Sequence, residues 1–129
     1  MIDLTLIIPA KNESESLPIV LESLKSISCS IIVVLPKDDL STISSIEKYD
    51  VQIIRQEENG YGSALIEGIK NCKTKYFCIF NADGSFDSND LHKMYDLVKS
   101  NDFVYASRYL KNGSSEDDTL ITLIGNKIF

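Results

Sequence analysis

Two short apolar runs, each closed by a proline, constrain this chain most. Leu4-Thr5-Leu6-Ile7-Ile8 stops at Pro9, and Ser30-Ile31-Ile32-Val33-Val34-Leu35 stops at Pro36. Runs of this length, rich in β-branched residues and lacking polar alternation, predict strands buried on both faces. Proline has no N–H to give a ladder, so each strand must end there. Residues 51–55, 75–80 and 102–107 read as three further strands. Helical patterns lie between them. Leu17, Val20, Leu21, Leu24 and Ile27 mark one face of a helix, with Asn12-x-x-Glu15 resembling a capping box and Pro18 in the first turn. Residues 40–49 read as a short helix. Gly60-Tyr61-Gly62-Ser63 turns into a helix carrying Leu65, Ile66 and Ile69. Residues 87–99 form another, with Leu91, Met94, Tyr95 and Val98 inward, and a loop through Asn112, Gly113, Ser114 and Ser115 leads to a last helix. Strands alternating with helices predict an α/β fold, a mostly parallel sheet with helices on both faces.

The 129 residues fit a single domain, 1–129, able to bury a core without staples. A net charge of -6 argues against a nucleic-acid partner, and it means that a bound phosphate needs a metal, an Arg or backbone N–H groups. Cys29, Cys72 and Cys78 are odd in number and scattered, which fits buried free thiols better than disulfides or zinc. The N-terminus has no signal-peptide pattern, and no run approaches the ~20 apolar residues that span a bilayer. A cytoplasmic location is the expectation. Residues 119–129 end on apolar side chains with no helix stop, so the chain reads as the N-terminal part of a longer protein.

Asn81-Ala82-Asp83-Gly84-Ser85 carries the strongest chemical signal. It leaves the C-terminal end of a buried strand, the edge where open α/β sheets bind ligands. Closely spaced oxygen donors suit Mg²⁺ or Mn²⁺, with Asp83 as the main ligand and Asn81 and Ser85 assisting. Asp-Gly is also a common turn, so the residue types alone leave the two readings level. Asp87 either extends this site or caps the next helix. Glu13, in Pro9-Ala10-Lys11-Asn12-Glu13, can hydrogen-bond a base or ribose, or simply complement a helix dipole. Gly60-Tyr61-Gly62 lets backbone approach a phosphate, yet it matches neither a Walker loop nor a full dinucleotide fingerprint. Arg108 has a guanidinium fork suited to phosphate or to a surface ion pair. Glu116, Asp117 and Asp118 are base candidates or first-turn helix acids. His92 has no visible partner.

Taken in order, these segments resemble a family 2 glycosyltransferase with the GT-A fold, over nearly all of the chain. The matching pieces are Ile7-Ile8-Pro9-Ala10-Lys11-Asn12-Glu13, Gly60-Tyr61-Gly62-Ser63-Ala64 with Gly68, Asn81-Ala82-Asp83-Gly84-Ser85, and Ala106-Ser107-Arg108-Tyr109. The resemblance is greatest to the dolichol-phosphate mannosyltransferase-like branch, which moves sugars onto polyprenyl phosphates. It implies a Rossmann-like nucleotide-binding half. It implies that Pro9, Ala10, Glu13, Asp38, Gly62, Asn81, Ala82 and Asp83 bind a nucleotide-sugar. Asp83, Asn81 and Ser85 would hold Mg²⁺ or Mn²⁺, and Asp83 and Arg108 would be catalytic. The chain departs from the family in three ways. Leu35-Pro36-Lys37-Asp38-Asp39 stands where the family has Asp-Asp-Gly-Ser, so Asp38 or Asp39 substitutes two or three residues late. Asn81 stands where the family has Asp. The chain also stops before most of the acceptor-binding half.

The expected reaction is inverting, metal-dependent transfer from a UDP- or GDP-sugar to a polyprenyl phosphate at the inner face of a membrane, reached through segments beyond residue 129. A phosphate acceptor is already largely ionised, with a second pKa of about 6, and needs no strong base. A sugar hydroxyl acceptor needs a carboxylate base. A sugar nucleotidyltransferase is a rival, although its Gly-rich loop after the first strand is not found in Pro9-Ala10-Lys11-Asn12. A nucleotide-binding module without turnover is another.

Overall fold

Leu6, Ile7, Ile8, Val33, Val34 and Leu35 expose essentially no surface, as strands covered on both faces require. In a computed structural model of the chain, residues 1–107 and 121–125 are described. The elements run β1 (Leu4–Pro9), α1 (Ser16–Leu24), β2 (Ser30–Pro36), α2 (Leu40–Ser45), β3 (Gln52–Gln56), α3 (Tyr61–Lys70), β4 (Tyr76–Ile79), α4 (Asp90–Val98), β5 (Phe103–Ser107) and β6 (Ile121–Gly125). Among the described residues the strands form one sheet in the order β3-β2-β1-β4-β6-β5. β3, β2, β1 and β4 are mutually parallel. The α/β expectation of a mostly parallel sheet with helices on both faces therefore holds.

The C-terminal expectation needs correction. Residues 121–125 form a strand, not part of a last helix. β6 lies antiparallel between β4 and β5, with Cys78 opposite Ile124 and Val104 opposite Ile124 on the other side. Apolar and β-branched residues suit a strand, and two strand edges offered hydrogen bonds that an isolated short helix does not have. Arg108, the loop at 112–115 and the acids Glu116, Asp117 and Asp118 lie outside the described residues.

One core unites Leu4, Leu6 and Ile8 of β1 with Leu17, Val20, Leu21 and Leu24 of α1 and Leu91, Met94 and Val98 of α4. On the opposite face, α3 approaches through its smallest residues, Ala64 and Gly68, while Leu65 and Ile69 are half-buried and Ile66 is exposed. A Cβ on Gly68 would sit 2.5 Å from Ile7 Cγ2 and 3.3 Å from Val34 Cγ2. Glycine at 68 therefore sets the distance of α3 from the sheet. Tyr95 is half-buried rather than inward, and its hydroxyl donates to the Asp3 carboxylate. Cys78 is buried and Cys29 and Cys72 are half-buried, all as free thiols. Burial pushes the Cys29 thiol up to about 11. Among the described residues no helix is long and apolar enough to cross a membrane.

The helix starts differ from the sequence pattern. The Asn12-x-x-Glu15 capping box does not form: α1 begins at Ser16, and Glu15 at its N-cap makes no side-chain cap bond. Asn12 instead adopts a left-handed φ of 55°, a region that Asn tolerates better than most residues. Its N–H donates to Asp39 Oδ2 at 2.8 Å. The Glu13 N–H donates to Thr42 Oγ1 at 3.1 Å. Asp39 is also the N-cap of α2, with its Oδ1 accepting from the Thr42 N–H. Long-range bonds to α2 thus replace the local cap and tie the loop after β1 to the loop after β2. Burial pushes the Asp39 carboxyl up, but the donors Asn12, Thr42 and Ser41 outweigh it and hold it below its ordinary value. Asp87 does not start α4. It accepts from the Asn89 N–H at 2.9 Å, and the helix begins at Asp90.

Two outcomes follow from this packing. Gly68→Ala gains up to about 1 kcal/mol of helix propensity but overpacks a contact that normally costs about 1–3 kcal/mol. The net effect is destabilising, because Ile7 is fully buried and has nowhere to retreat. The urea midpoint should fall, and a rise would contradict the packing. Asp39→Ala removes a buried cap and should cost about 1–2 kcal/mol at neutral pH. The folded-state pKa lies below the unfolded value of about 3.9. The stability gap between wild type and variant should therefore be complete above about pH 5 and close as pH falls through the depressed folded value. Urea titrations of both proteins between neutral and acid pH read this directly.

Candidate active site

The order of the strands reverses between β1 and β4. The chain leaves β1 for β2 and β3, then returns to the other side of β1, and such a switch point opens a crevice above the strand ends. A cavity of about 620 Å³ lies there, above the C-terminal ends of β3, β2, β1 and β4. The β4 loop contributes Asn81, Ala82 and Asp83 to its wall. The β1 loop contributes Pro9, Ala10, Lys11 and Glu13. Pro36 ends β2, and Asp38 follows it. Gln56, Asn59, Gly60 and Tyr61 close the β3 end.

Four cross-links hold these loops. The Ala10 N–H donates to the Val34 carbonyl at 2.9 Å, and the Phe80 N–H donates to the Ile7 carbonyl at 2.9 Å. The Asn12–Asp39 bond is the third. The fourth is the Ser16 hydroxyl, whose proton is shared between the Glu13 carboxylate and the Ala82 carbonyl, the latter at 2.9 Å. The walls from β1, β2 and β4 are therefore fixed relative to one another before any ligand arrives.

Asp83 is exposed, and its Oδ1 accepts from the Ser85 N–H at 2.9 Å. That local turn fixes the carboxylate at the cavity edge. Asn81 is half-buried, and its Nδ2 donates to Ser85 Oγ at 3.3 Å, which leaves its carbonyl oxygen at the other end of the amide. Both bonds show what Ser85 does in this fold: it holds the loop. Ser85 is not brought to the main cavity. It lines a separate hollow with Ile19, Val20, Phe80 and Phe86. Gly62, in the exposed first turn of α3, is not in the cavity wall either. Pro9, Ala10, Glu13, Asp38, Asn81, Ala82 and Asp83 are brought together.

The described wall carries three acids, Glu13, Asp38 and Asp83, and one cation, Lys11. A diphosphate entering this cavity needs positive charge from elsewhere. Among the described residues, no three His, Cys, Asp or Glu side chains cluster well enough to hold a metal ion by themselves. One exposed carboxylate and one amide on the same loop, both in the cavity wall, fit a different mode, in which Mg²⁺ or Mn²⁺ is held by one or two protein oxygens and completed by phosphate and water.

Sequence reasoning missed Gln56 and Ser16 here and left Asp38 and Asp39 undivided. Gln56 is the last residue of β3 and is buried. Its signal was a polar residue at a strand end just before Asn59-Gly60. Asp39 and Asp38 divide the role left open between them: Asp38 lines the cavity, while Asp39 is a buried cap. Asp39-x-x-Thr42 before an apolar residue was a readable N-cap signal. Ser16 offered no sequence signal, because its partner Ala82 is 66 residues away.

Comparison with known proteins now bears on the fold and cavity. The profile of the family described as Glycosyl transferase family 2 matches residues 5–128. An uncharacterized glycosyltransferase of Mycobacterium tuberculosis is 33% identical over 106 residues, covering 81% of this chain and 48% of that protein. A dolichol-phosphate mannosyltransferase of Pyrococcus furiosus is 31% identical over 126 residues, covering 88% of this chain and 35% of that protein. The chain thus spans about half or less of these relatives. Among solved structures, a cytidylyltransferase of Leptospira borgpetersenii superposes with a TM-score of 0.71 at 16% identity, over 98% of this chain and 61% of that one. Glucosyl-3-phosphoglycerate synthase of Mycobacterium tuberculosis, in complex with Mn²⁺, UDP and glucosyl-3-phosphoglycerate, superposes with a TM-score of 0.54 at 16% identity, over 61% of this chain and 33% of that one. At such identities the structures speak for the fold alone, whereas the profile match covers nearly the whole sequence. The chain belongs to glycosyl transferase family 2.

Proposed function

We propose that this chain is the donor-binding half of a metal-dependent, inverting glycosyltransferase that uses a UDP- or GDP-sugar. One observation carries the reading: Asp83, Asp38 and the loop from Pro9 to Glu13 converge on a single cavity at the switch point of the sheet. Family membership supports glycosyl transfer, and the Mn²⁺ and UDP in the synthase structure agree with this cofactor and donor type.

Within this reading each wall has a task. Pro9 and Ala10 lie where backbone meets the nucleotide, and Glu13 and Asp38 offer acceptors to its ribose and base. Asp83 and the Asn81 carbonyl oxygen would hold Mg²⁺ or Mn²⁺. A divalent cation there supplies positive charge against the charge that develops on the leaving diphosphate. Lys11 adds a second positive group to a wall that is otherwise acidic. Arg108, outside the described residues, remains the proposed phosphate-holding residue. The acceptor we propose is a polyprenyl phosphate at the inner face of a membrane, on the strength of the mannosyltransferase relative. Its ionised oxygen attacks the anomeric carbon as the nucleoside diphosphate leaves, so no general base is required.

A second reading keeps one support. Because the chain spans about half or less of its relatives, the described half can bind a donor without turning it over. Calorimetry separates these levels. UDP or GDP should bind more tightly with Mn²⁺ than without it. Asp83→Ala should remove that metal dependence, with at least about a tenfold loss of affinity, while leaving stability within about 0.5 kcal/mol because the side chain is exposed. Binding that ignores both Mn²⁺ and the substitution would overturn the metal site. Release of free nucleotide from a labelled sugar donor only when polyprenyl phosphate is added would establish turnover and the acceptor class together.

A further inference from the structure

Gln56 is a buried side chain whose hydrogen-bonding groups are split between fold and cavity. It is 5% exposed at the end of β3. Its Nε2 donates to the Glu58 carbonyl at 2.9 Å and to the Gly60 carbonyl at 3.0 Å. Two facing carbonyls consume both amide protons and force the amide orientation, since an oxygen cannot face two oxygens. Gly60 sits there with φ at 114°, a conformation open to glycine, and its carbonyl also receives the Ala64 N–H that starts α3. The amide group is therefore locked, and the capacity left to it is acceptance at Oε1. Among the described residues no group donates to that oxygen. Gln56 lines the same cavity as Asp38, whose carboxylate can only accept when ionised.

The position matters as much as the chemistry. In the strand order, β3 lies three strands from β4, about 14 Å at the usual strand spacing. A nucleoside diphosphate with its phosphates at Asp83 reaches toward the β3 end with its base. The aromatic ring of Tyr61, 59% exposed, stands at the same end of the cavity as a surface on which a base can stack.

We infer that Gln56 Oε1 reads the ring N–H of the donor's nucleobase. Resting on the nucleotide-sugar reading above, this makes Gln56 a specificity-determining residue. Uracil presents N3–H and guanine presents N1–H beside ring carbonyls. Cytosine N3 and adenine N1 carry lone pairs, which an acceptor repels. The site then admits UDP- or GDP-sugars and rejects CDP- and ADP-sugars by leaving acceptors facing each other.

Calorimetry in Mn²⁺ with UDP, GDP, CDP and ADP, followed by the N-methyl form of the best ligand (3-methyl-UDP or 1-methyl-GDP), tests this. Wild type should prefer UDP or GDP over CDP and ADP by at least about tenfold. Methylation should cost at least about tenfold in wild type and in Asp38→Ala, which removes the other acceptor, but less than about twofold in Gln56→Met. A purely loop-supporting Gln56 would lower all affinities together and leave the methylation cost intact, which overturns the inference. So does a cost that disappears in Asp38→Ala, a result that remains readable if Gln56→Met does not fold. Equal binding of CDP or ADP overturns the inference alone, whereas no binding of any nucleotide overturns the nucleotide-sugar reading beneath it.

Discussion

Pairing of β1 between β2 and β4 is the constraint on which the site depends. Ile7 lies opposite Ile32 on one side and Ile79 on the other. In that register Pro9 lies opposite Val34, two residues before Pro36, and Phe80 follows directly on the Ile7–Ile79 pair, so three loops leave the same edge of the sheet around one crevice. A proline ending a strand removes a donor, and both loops that begin there turn at once toward the cavity. The buried strands set position, and the loops carry chemistry. Gly68 extends the same logic below the site: without a side chain, it lets α3 lie against Ile7 and Val34. α3 in turn carries Gly60 and Tyr61 to the β3 end.

Above the sheet, the loops are held by bonds that cross between them. Asp39 receives the Asn12 N–H, Thr42 receives the Glu13 N–H, and Ser16 reaches the Ala82 carbonyl. Each spans elements that are distant in sequence. A cavity built this way keeps its shape without its ligand, so binding energy need not be used to order the walls. It is also short of positive charge. Three acids face one lysine in the described cavity wall, so a diphosphate there needs a metal, an Arg or backbone N–H groups to balance its charge.

The sequence made the parallel core legible, because buried parallel strands leave an unbroken apolar signature and prolines mark where they stop. It made the β1 and β4 loops legible because Pro9-Ala10-Lys11-Asn12-Glu13 and Asn81-Ala82-Asp83-Gly84 carry several informative residues in succession. Long-range pairing was not legible. Residues 121–125 read as part of a helix, since nothing local shows that β4 and β5 each leave an edge for them. Asn12 read as a helix cap because the pattern Asn-x-x-Glu is local, while its actual partner, Asp39, is 27 residues away. Gln56 gave only the weak signal of a polar residue at a strand end, and it has meaning only once the carbonyls of Glu58 and Gly60 are seen folded back onto it.

Family membership and the switch-point cavity support the proposal that a metal-bridged nucleoside diphosphate lies between the β4 and β3 ends. The most direct test is a crystal structure of the chain with Mn²⁺ and UDP or GDP, read by anomalous scattering from the metal. The account predicts a manganese peak at bonding distance from the Asp83 carboxylate, with the diphosphate beside it and the base against Gln56. A manganese peak away from Asp83, or a nucleotide seated outside this cavity, would contradict it.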